Sequence, residues 1–385
     1  MKPRFGIAPD DQALADAILR FAAEELAPRA QEVDDQEIST ARYVPLLAEL
    51  GVMGMNLPER WGGTEITPTA LVLSLAAIAE ACASTSSMIG AHFLATDSIL
   101  IGGDDDLRQR YLPQAAAGKK LGAFALTEPR AGSNPADMAT RAIREGDGYH
   151  LIGTKHFISN AGEADFIVIF AKTDPAKGHK GISAFVVDKG TPGLKISAPE
   201  KLMGIRGAHA FEMSIDCHVP ESQRLGQEGT GFHTAMRILD NSRMDVAATC
   251  LGIGEAALAA AVDWAHSRQV GGEPLAAKQG IQWKLAEMKM RLEAAWLLTL
   301  QACAKRQAGV SFSAESSMCK LYASEMAAFV ADEALQIFGG YGYTRSLPLE
   351  RYVRDARIMR IYEGSSEIQR TIIARGLLAE GSAGA

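Results

Sequence analysis

Ten residues near the C-terminal end, Arg360 to Gln369, read RIYEGSSEIQ. They set a carboxylate, Glu363, between an aromatic ring and a glycine, just ahead of a predicted helix. Ser366 with Gln369 three positions later reads as a capping box, and Glu367 complements the positive end of the helix dipole. Glu363 has no such structural task. A loop glutamate is ordinarily a solvated surface acid. One flanked by a ring that excludes water (Tyr362) and by a residue that admits another backbone (Gly364) can instead act as a general base.

Three other stretches could hold a ligand. ALTEPRAGSN (125–134) ends a strand and enters a turn whose small residues let backbone amides approach a ligand, with hydroxyls at Thr127 and Ser133. KHFISN (155–160) puts Phe157 and Ser159 on one face of a strand. QIFGGYGYT (336–344) ends a helix in glycines, which by itself is a helix C-cap. Gly252 to Ala257 fits G-x-G-x-x-A but lies in mid-helix, where close helix packing explains it better than a pyrophosphate site.

The elements that must carry these stretches fall into three textures. Residues 1–120 are helical in period, with Leu14, Ile18, Phe21 and Leu26 along one face. Residues 121–226 hold short runs rich in β-branched and aromatic residues (GAFALT, YHLIGT, KHFIS, FIVIFAK, ISAFVV, LKIS, AFEMSID), which predict a small β-barrel or sandwich. Residues 227–385 return to long amphipathic helices over about 231–268, 276–308 and 313–338, with a short one at 366–378. Together they predict a bundle. An α+β chain of helices, strands, then helices is expected, in three domains at 1–120, 121–226 and 227–385.

Bulk properties narrow the function. A net charge of -7 in 385 residues, with no basic run, argues against nucleic-acid binding. The five cysteines are scattered without metal spacing, which predicts free thiols in a reducing compartment. The start, MKPRFGIAPDDQ, lacks an apolar signal core, and the most apolar run is broken by Glu80, so a cytoplasmic protein without membrane insertion is expected.

Taken together, ALTEPRAGSN, KHFISN, LAEMKMRLEAAWLL, QIFGGYGYT and RIYEGSSEIQR occur in the order and spacing of the acyl-CoA dehydrogenase family, and the resemblance covers nearly the whole chain. It implies an N-terminal helical domain, a middle β-domain and a C-terminal four-helix bundle. It also implies FAD, bound without a Rossmann fold, and an acyl-CoA substrate. By matching position, Phe124, Leu126 and Thr127 would line the flavin ring, with Gly132 in the adjoining turn. Ser133 would serve the phosphate or pantetheine region. Phe157 would pack against the isoalloxazine, and Ser159 would bond near N5. Arg268, Gln279, Gln336 and Gly340 would grip the adenosine half of FAD across a subunit boundary, and Ser365 and Glu367 complete the cofactor set. Asp240 and Arg243 would meet CoA, while Tyr362 and Gly364 flank the acyl group.

Glu363 matches the base of the short- and medium-chain members. The reaction implied is removal of an α-proton while the β-hydrogen leaves as hydride to flavin N5. The thioester oxygen would be stabilised by the base's own backbone N–H and a ribityl hydroxyl. The resemblance further implies a homotetramer, a dimer of dimers, with electron-transferring flavoprotein as electron acceptor.

Four positions depart from the family pattern. Asn134 replaces an aspartate, and Gly271 replaces an aromatic that packs under a neighbouring FAD. Ser242 stands where branched-chain members put their base. Ser87 stands where glutaryl-type members carry an arginine, so short or medium apolar acyl groups are expected rather than dicarboxylic ones. A dehydrogenase of carrier-protein thioesters, an oxidase or monooxygenase, and a non-catalytic thioester-binding flavoprotein are the alternative readings on this scaffold.

Overall fold

The computed structural model describes residues 6–383; Met1–Phe5, part of the start read above for a leader, lie outside the described residues. The chain opens with helices α1 (Pro9–Phe21), α2 (Ala30–Gln36), α3 (Val44–Glu49), α4 (Pro68–Ala81), α5 (Ala83–Gly102) and α6 (Asp105–Ala116). Of the predicted apolar face, Ile18 and Leu26 are buried, and Leu14 and Phe21 pack at its edge. Thr67 caps α4 by accepting from the Ala70 N–H at 2.9 Å, with Pro68 at the first helical position. One extended residue, Cys82, separates α4 from α5. Helix α5 is buried on nearly every side, so it is a core element and not a surface one.

Strands β1 (Gly122–Ala125), β2 (Arg141–Glu145), β3 (Gly148–Ser159), β4 (Phe166–Lys172), β5 (Ile182–Asp188), β6 (Leu194–Ile196), β7 (Ala210–Pro220) and β8 (Arg224–Leu225) form one sheet. Their order is β6-β7-β3-β2-β4-β5-β8, with β1 parallel to β4. The apolar runs β4 and β5 are buried along almost their whole length, and β7 alternates buried and exposed residues. Two details differ from expectation. YHLIGT and KHFIS are a single strand, β3, interrupted by a bulge between Lys155 and Ile158. Strand β2, RAIRE, was not expected, because only Ala142 of its five residues is buried and the apolar signal is weak.

The C-terminal part holds α7 (Gly231–Ser267), a small hairpin of β9 (Gln269–Val270) and β10 (Glu273–Pro274), then α8 (Gln279–Gln307), α9 (Ser313–Phe338), α10 (Leu349–Ile358) and α11 (Ser366–Ala383). By length and composition α7 could cross a membrane, but 78% of its apolar stretch is buried inside the protein, so it is the bundle's central helix. A Cβ on Gly252 would sit 2.3 Å from the Ala76 carbonyl oxygen, so the G-x-G-x-x-A pattern serves the packing of α4 on α7. Gly271 and Gly272 have φ of +64° and +82° and make the two-residue turn of the β9–β10 hairpin. That conformation favours glycine and accounts locally for the missing aromatic.

Candidate active site

Glu363 lies in the link between α10 and α11, with φ +52°, and is followed by Gly364 at +92°. A non-glycine residue in the left-handed region needs outside support. The fully buried Gln369 supplies it: its Nε2 donates to the Glu363 carbonyl at 3.1 Å and to the Gly364 carbonyl at 2.9 Å. Lys320 of α9, also fully buried, donates from Nζ to the same Gly364 carbonyl at 2.7 Å. The expected capping box is therefore not formed. Ser365 caps α11, its Oγ accepting from the Ile368 N–H at 3.5 Å, and the Ser366 hydroxyl is buried without a partner. Gly364 is required by its φ and by Gln369, whose Nε2 a Cβ would approach to 2.5 Å.

The Glu363 carboxyl points inward. Its Oε2 is buried and has no hydrogen-bond partner. Burial pushes its pKa up to about 7, against the pull of the Ser242 hydroxyl from α7 and of the Lys320 and Arg243 cations. Lys320 is itself pushed down to about 8 by burial. The Glu363 backbone N–H has no acceptor among the described residues. A titratable acid tuned near neutrality thus stands beside a free amide donor, which suits a base whose substrate gains negative charge on oxygen.

Around this acid, Arg243 is only 4% exposed and pairs with Asp240 Oδ1 at 2.5 Å, a carboxylate that Ser313 also binds at 2.9 Å. Arg243 Nε remains buried and unpartnered. Tyr362 packs against the core and donates to Met359 Sδ at 3.0 Å, with Ser87 beside its hydroxyl. Asp240, Arg243, Ser242, Tyr362 and Glu363 are thus brought together from two distant parts of the sequence.

A second group forms on the sheet. The Thr127 carbonyl accepts from the His156 N–H at 3.0 Å, tying the turn after β1 to the β3 bulge. Beneath that junction the buried Lys155 donates to the Leu126 carbonyl at 3.0 Å and to Glu128 Oε1 at 2.9 Å. Burial opposes the charge on Glu128, but Lys155 and the amides of Thr140 and Ala139 outweigh it and hold the acid below its ordinary value. On this rigid base Phe157 takes φ +58° and leaves its ring 60% exposed, against His156. An apolar ring held outward on a strained bulge, beside Thr127 and two residues from Ser159, fits the flat face of a flavin. Phe124 packs on Phe170 and Leu126 is buried below the same surface. Gly132 and Ser133 lie in the exposed turn beyond, where Asn134 Nδ2 donates to Asp137 Oδ2 at 2.7 Å.

Arg268, Gln279, Gln336 and Gly340 form a third group, all exposed, where α7 ends, α8 begins and α9 ends. Arg268 lies over the Trp264 and Tyr341 rings. Along α7, at about 1.5 Å per residue, Arg268 stands about 38 Å from Arg243. One chain does not bring the third group to the first. Glu367 is exposed on α11.

Lys320 and the Gln369 tether escaped the sequence reading. The available signal for Lys320 was a charge among the apolar positions of α9, between Cys319 and Ala323, both buried.

Three family models match the chain: acyl-CoA dehydrogenase N-terminal domain over residues 8–119, middle domain over 123–217, and C-terminal domain over 229–378. The acryloyl-CoA reductase (NADH) of Anaerotignum propionicum is 42% identical, over 97% of this chain and 96% of that one. The mitochondrial short-chain specific acyl-CoA dehydrogenase of Mus musculus is 42% identical, over 93% and 87%. The solved butyryl-CoA dehydrogenase from Megasphaera elsdenii superposes with a TM-score of 0.95 at 38% identity, covering 98% of this chain and 100% of that one.

Proposed function

The chain belongs to the acyl-CoA dehydrogenase family and is an FAD-dependent oxidoreductase of acyl-CoA thioesters; from that premise we propose that Glu363 is its catalytic base. The observation that carries this is the buried, unpartnered Oε2 of an acid whose backbone is pinned by Gln369 and Lys320 and whose pKa is about 7.

Bound FAD supplies a hydride acceptor at N5. The chain's own residues do the rest. Glu363 Oε2 takes the α-proton, and Ser242, Lys320 and Arg243 favour the carboxylate that is ready to take it. The free Glu363 N–H is placed to donate to the thioester oxygen as charge builds there, a contact that can contribute roughly 3 kcal/mol in a dry site. Tyr362 and the bundle core keep water from the acid. Asp240 and Arg243 are assigned to the CoA portion, and the Thr127, Phe157 and Ser159 surface to the flavin. Phe124, Leu126, Gly132, Ser133, Ser365 and Glu367 support the same cofactor.

Arg268, Gln279, Gln336 and Gly340 are assigned to the adenosine half of a neighbouring chain's FAD, since they are far from this chain's base. The exposed stripe Trp283, Met290 and Leu297 on α8, between 60% and 65% exposed and spaced by seven residues, supports burial against further copies in a homotetramer. Electron-transferring flavoprotein is the proposed acceptor, in the cytoplasm.

The test is anaerobic titration of the holoenzyme with butyryl- and hexanoyl-CoA, and with the same acyl groups on acyl carrier protein. Loss of the oxidised flavin band with the CoA esters is expected. Bleaching by carrier-bound esters alone would replace CoA with a carrier protein, and bleaching by none would contradict dehydrogenase activity.

A further inference from the structure

Helices α5 and α7 run antiparallel, and two contacts fix their register. Asn241 Nδ2 donates to Asp97 Oδ2 at 3.2 Å, and Ser86 Oγ shares a hydrogen bond with Thr249 Oγ1 at 2.8 Å. Midway between these pairs α7 carries Asp245, opposite the turn of α5 that contains Gly90. A side chain added at Gly90 would meet nothing within 4 Å, so the helices leave an opening at this level.

Asp245 is 8% exposed; its backbone carbonyl accepts from Thr249 Oγ1 at 3.1 Å, while its carboxyl makes no hydrogen bond or ion pair among the described residues. Asp97, the other buried acid of this interface, is by contrast satisfied by Asn56 at 2.7 Å and Asn241 at 3.2 Å. Ser87 Oγ lies against the Tyr362 hydroxyl and has no other partner. Leaving a largely buried carboxyl unmet costs stability unless a ligand supplies the missing donor. Asp245 and Glu363 lie within electrostatic reach of each other. Burial drives the Asp245 carboxyl well above its ordinary range, with Arg306 opposing and Asp97 and Glu363 reinforcing.

We propose that the acyl group oxidised here carries a hydrogen-bond donor, a hydroxyl or an ammonium, at its γ- or δ-carbon, and that Asp245 receives it. The position follows from α7. Ser242 touches the base and so marks the level of the α-carbon, and Asp245 is three residues further along, about 4.5 Å. The inference rests on Glu363 as base. It replaces the plain apolar slot expected from the residues around Ser87 with a slot that has one polar station. A site built to bond a substrate hydroxyl rejects the analogue that lacks it far more strongly than an apolar slot rejects an extra hydroxyl.

The experiment measures kcat/KM of the holoenzyme for butyryl-, hexanoyl-, 4-hydroxybutyryl-, 5-hydroxypentanoyl- and freshly prepared 5-aminopentanoyl-CoA, in the parent, Asp245→Ala, Asp245→Asn and Glu363→Gln. The parent is expected to favour a donor-bearing ester at least tenfold over the plain esters, and Asp245→Ala to reverse that order. Asp245→Asn, which is nearly isosteric, should keep a hydroxyl preference and lose an ammonium preference, which identifies the donor. A parent that favours the plain esters, or a preference unchanged within twofold in both Asp245 variants, would overturn the proposal. Glu363→Gln should lower every ester alike. Full activity in that variant would strike the base assignment, whereas failure of the Asp245 variants to change selectivity would strike only the pocket.

Discussion

The Ser242 hydroxyl of α7 lies against the Glu363 carboxyl, 121 positions later in the chain, and lowers the pKa that burial raises. The acid limb of kcat/KM reports the free enzyme's base, so its midpoint is expected near pH 7. Ser242→Ala removes the hydroxyl that favours the charged form, and the midpoint should move up by as much as about one unit. A pH profile with the midpoint unmoved, or moved down, would show that Ser242 does not act on the base.

The same raised pKa makes a prediction about stability. Below pH 4.5, the ordinary value for this carboxyl, Glu363 is protonated whether folded or unfolded, and burial costs no charge. Between about pH 4.5 and 7 the unfolded chain has lost the proton that the folded chain retains, so stability falls across that window and levels off above it. Glu363→Gln escapes this loss. It should melt above the parent at pH 8, by up to about 3 kcal/mol, with the gap closing toward pH 4.5. Thermal melts across this range that show no growing gap would argue against a buried charge at Glu363.

Gln369 holds the Glu363 and Gly364 carbonyls, so Gln369→Ala should misplace the base without removing it. A displacement of the order of 1 Å can cost about a hundredfold in rate. The expected result is a large fall in kcat, a small change in KM and a loss of about 1–2 kcal/mol in stability. If kcat held while only stability fell, the tether would be structural alone.

Above the acid limb, Arg243→Ala should raise KM for CoA esters more than it lowers kcat, because its contact with the CoA portion is shared by ground and transition states. The limb itself should move up with loss of a cation that favours the Glu363 carboxylate. Its burial and its pairing with Asp240 add a stability loss, since Asp240 loses its cation and keeps only the Ser313 hydroxyl. Equal losses in kcat and kcat/KM would place Arg243 in the chemistry instead.

Sequence periodicity and motif order were enough to read the helices-strands-helices order and the family resemblance. The position of Glu363 outside a helix was legible too, from the glycine and serines that follow it. What the linear sequence hid was contact between distant elements. Ser366 and Gln369 have the spacing of a capping box, but Gln369 bonds the carbonyls that a left-handed Glu363 leaves exposed, and no propensity argument anticipates that backbone. Strand β2 shows too few apolar residues to announce itself. Asp245 reads as an ordinary polar residue in an amphipathic helix until α5 is laid across it, and Lys320 gains its role only when α9 passes under Gly364.

The central claim is tested most directly by mixing Glu363→Gln holoenzyme with an acyl-CoA ester that bleaches the parent, anaerobically in a stopped-flow instrument. Gln preserves size and packing but cannot accept a proton, so flavin content and ester binding should persist while bleaching slows by about 10²–10⁴-fold or more. The double variant Glu363→Gly with Ser242→Glu, which returns a carboxylate to the same pocket from α7, should recover part of that rate. Bleaching by Glu363→Gln at the parental rate would contradict the assignment of Glu363 as base and the mechanism built on it.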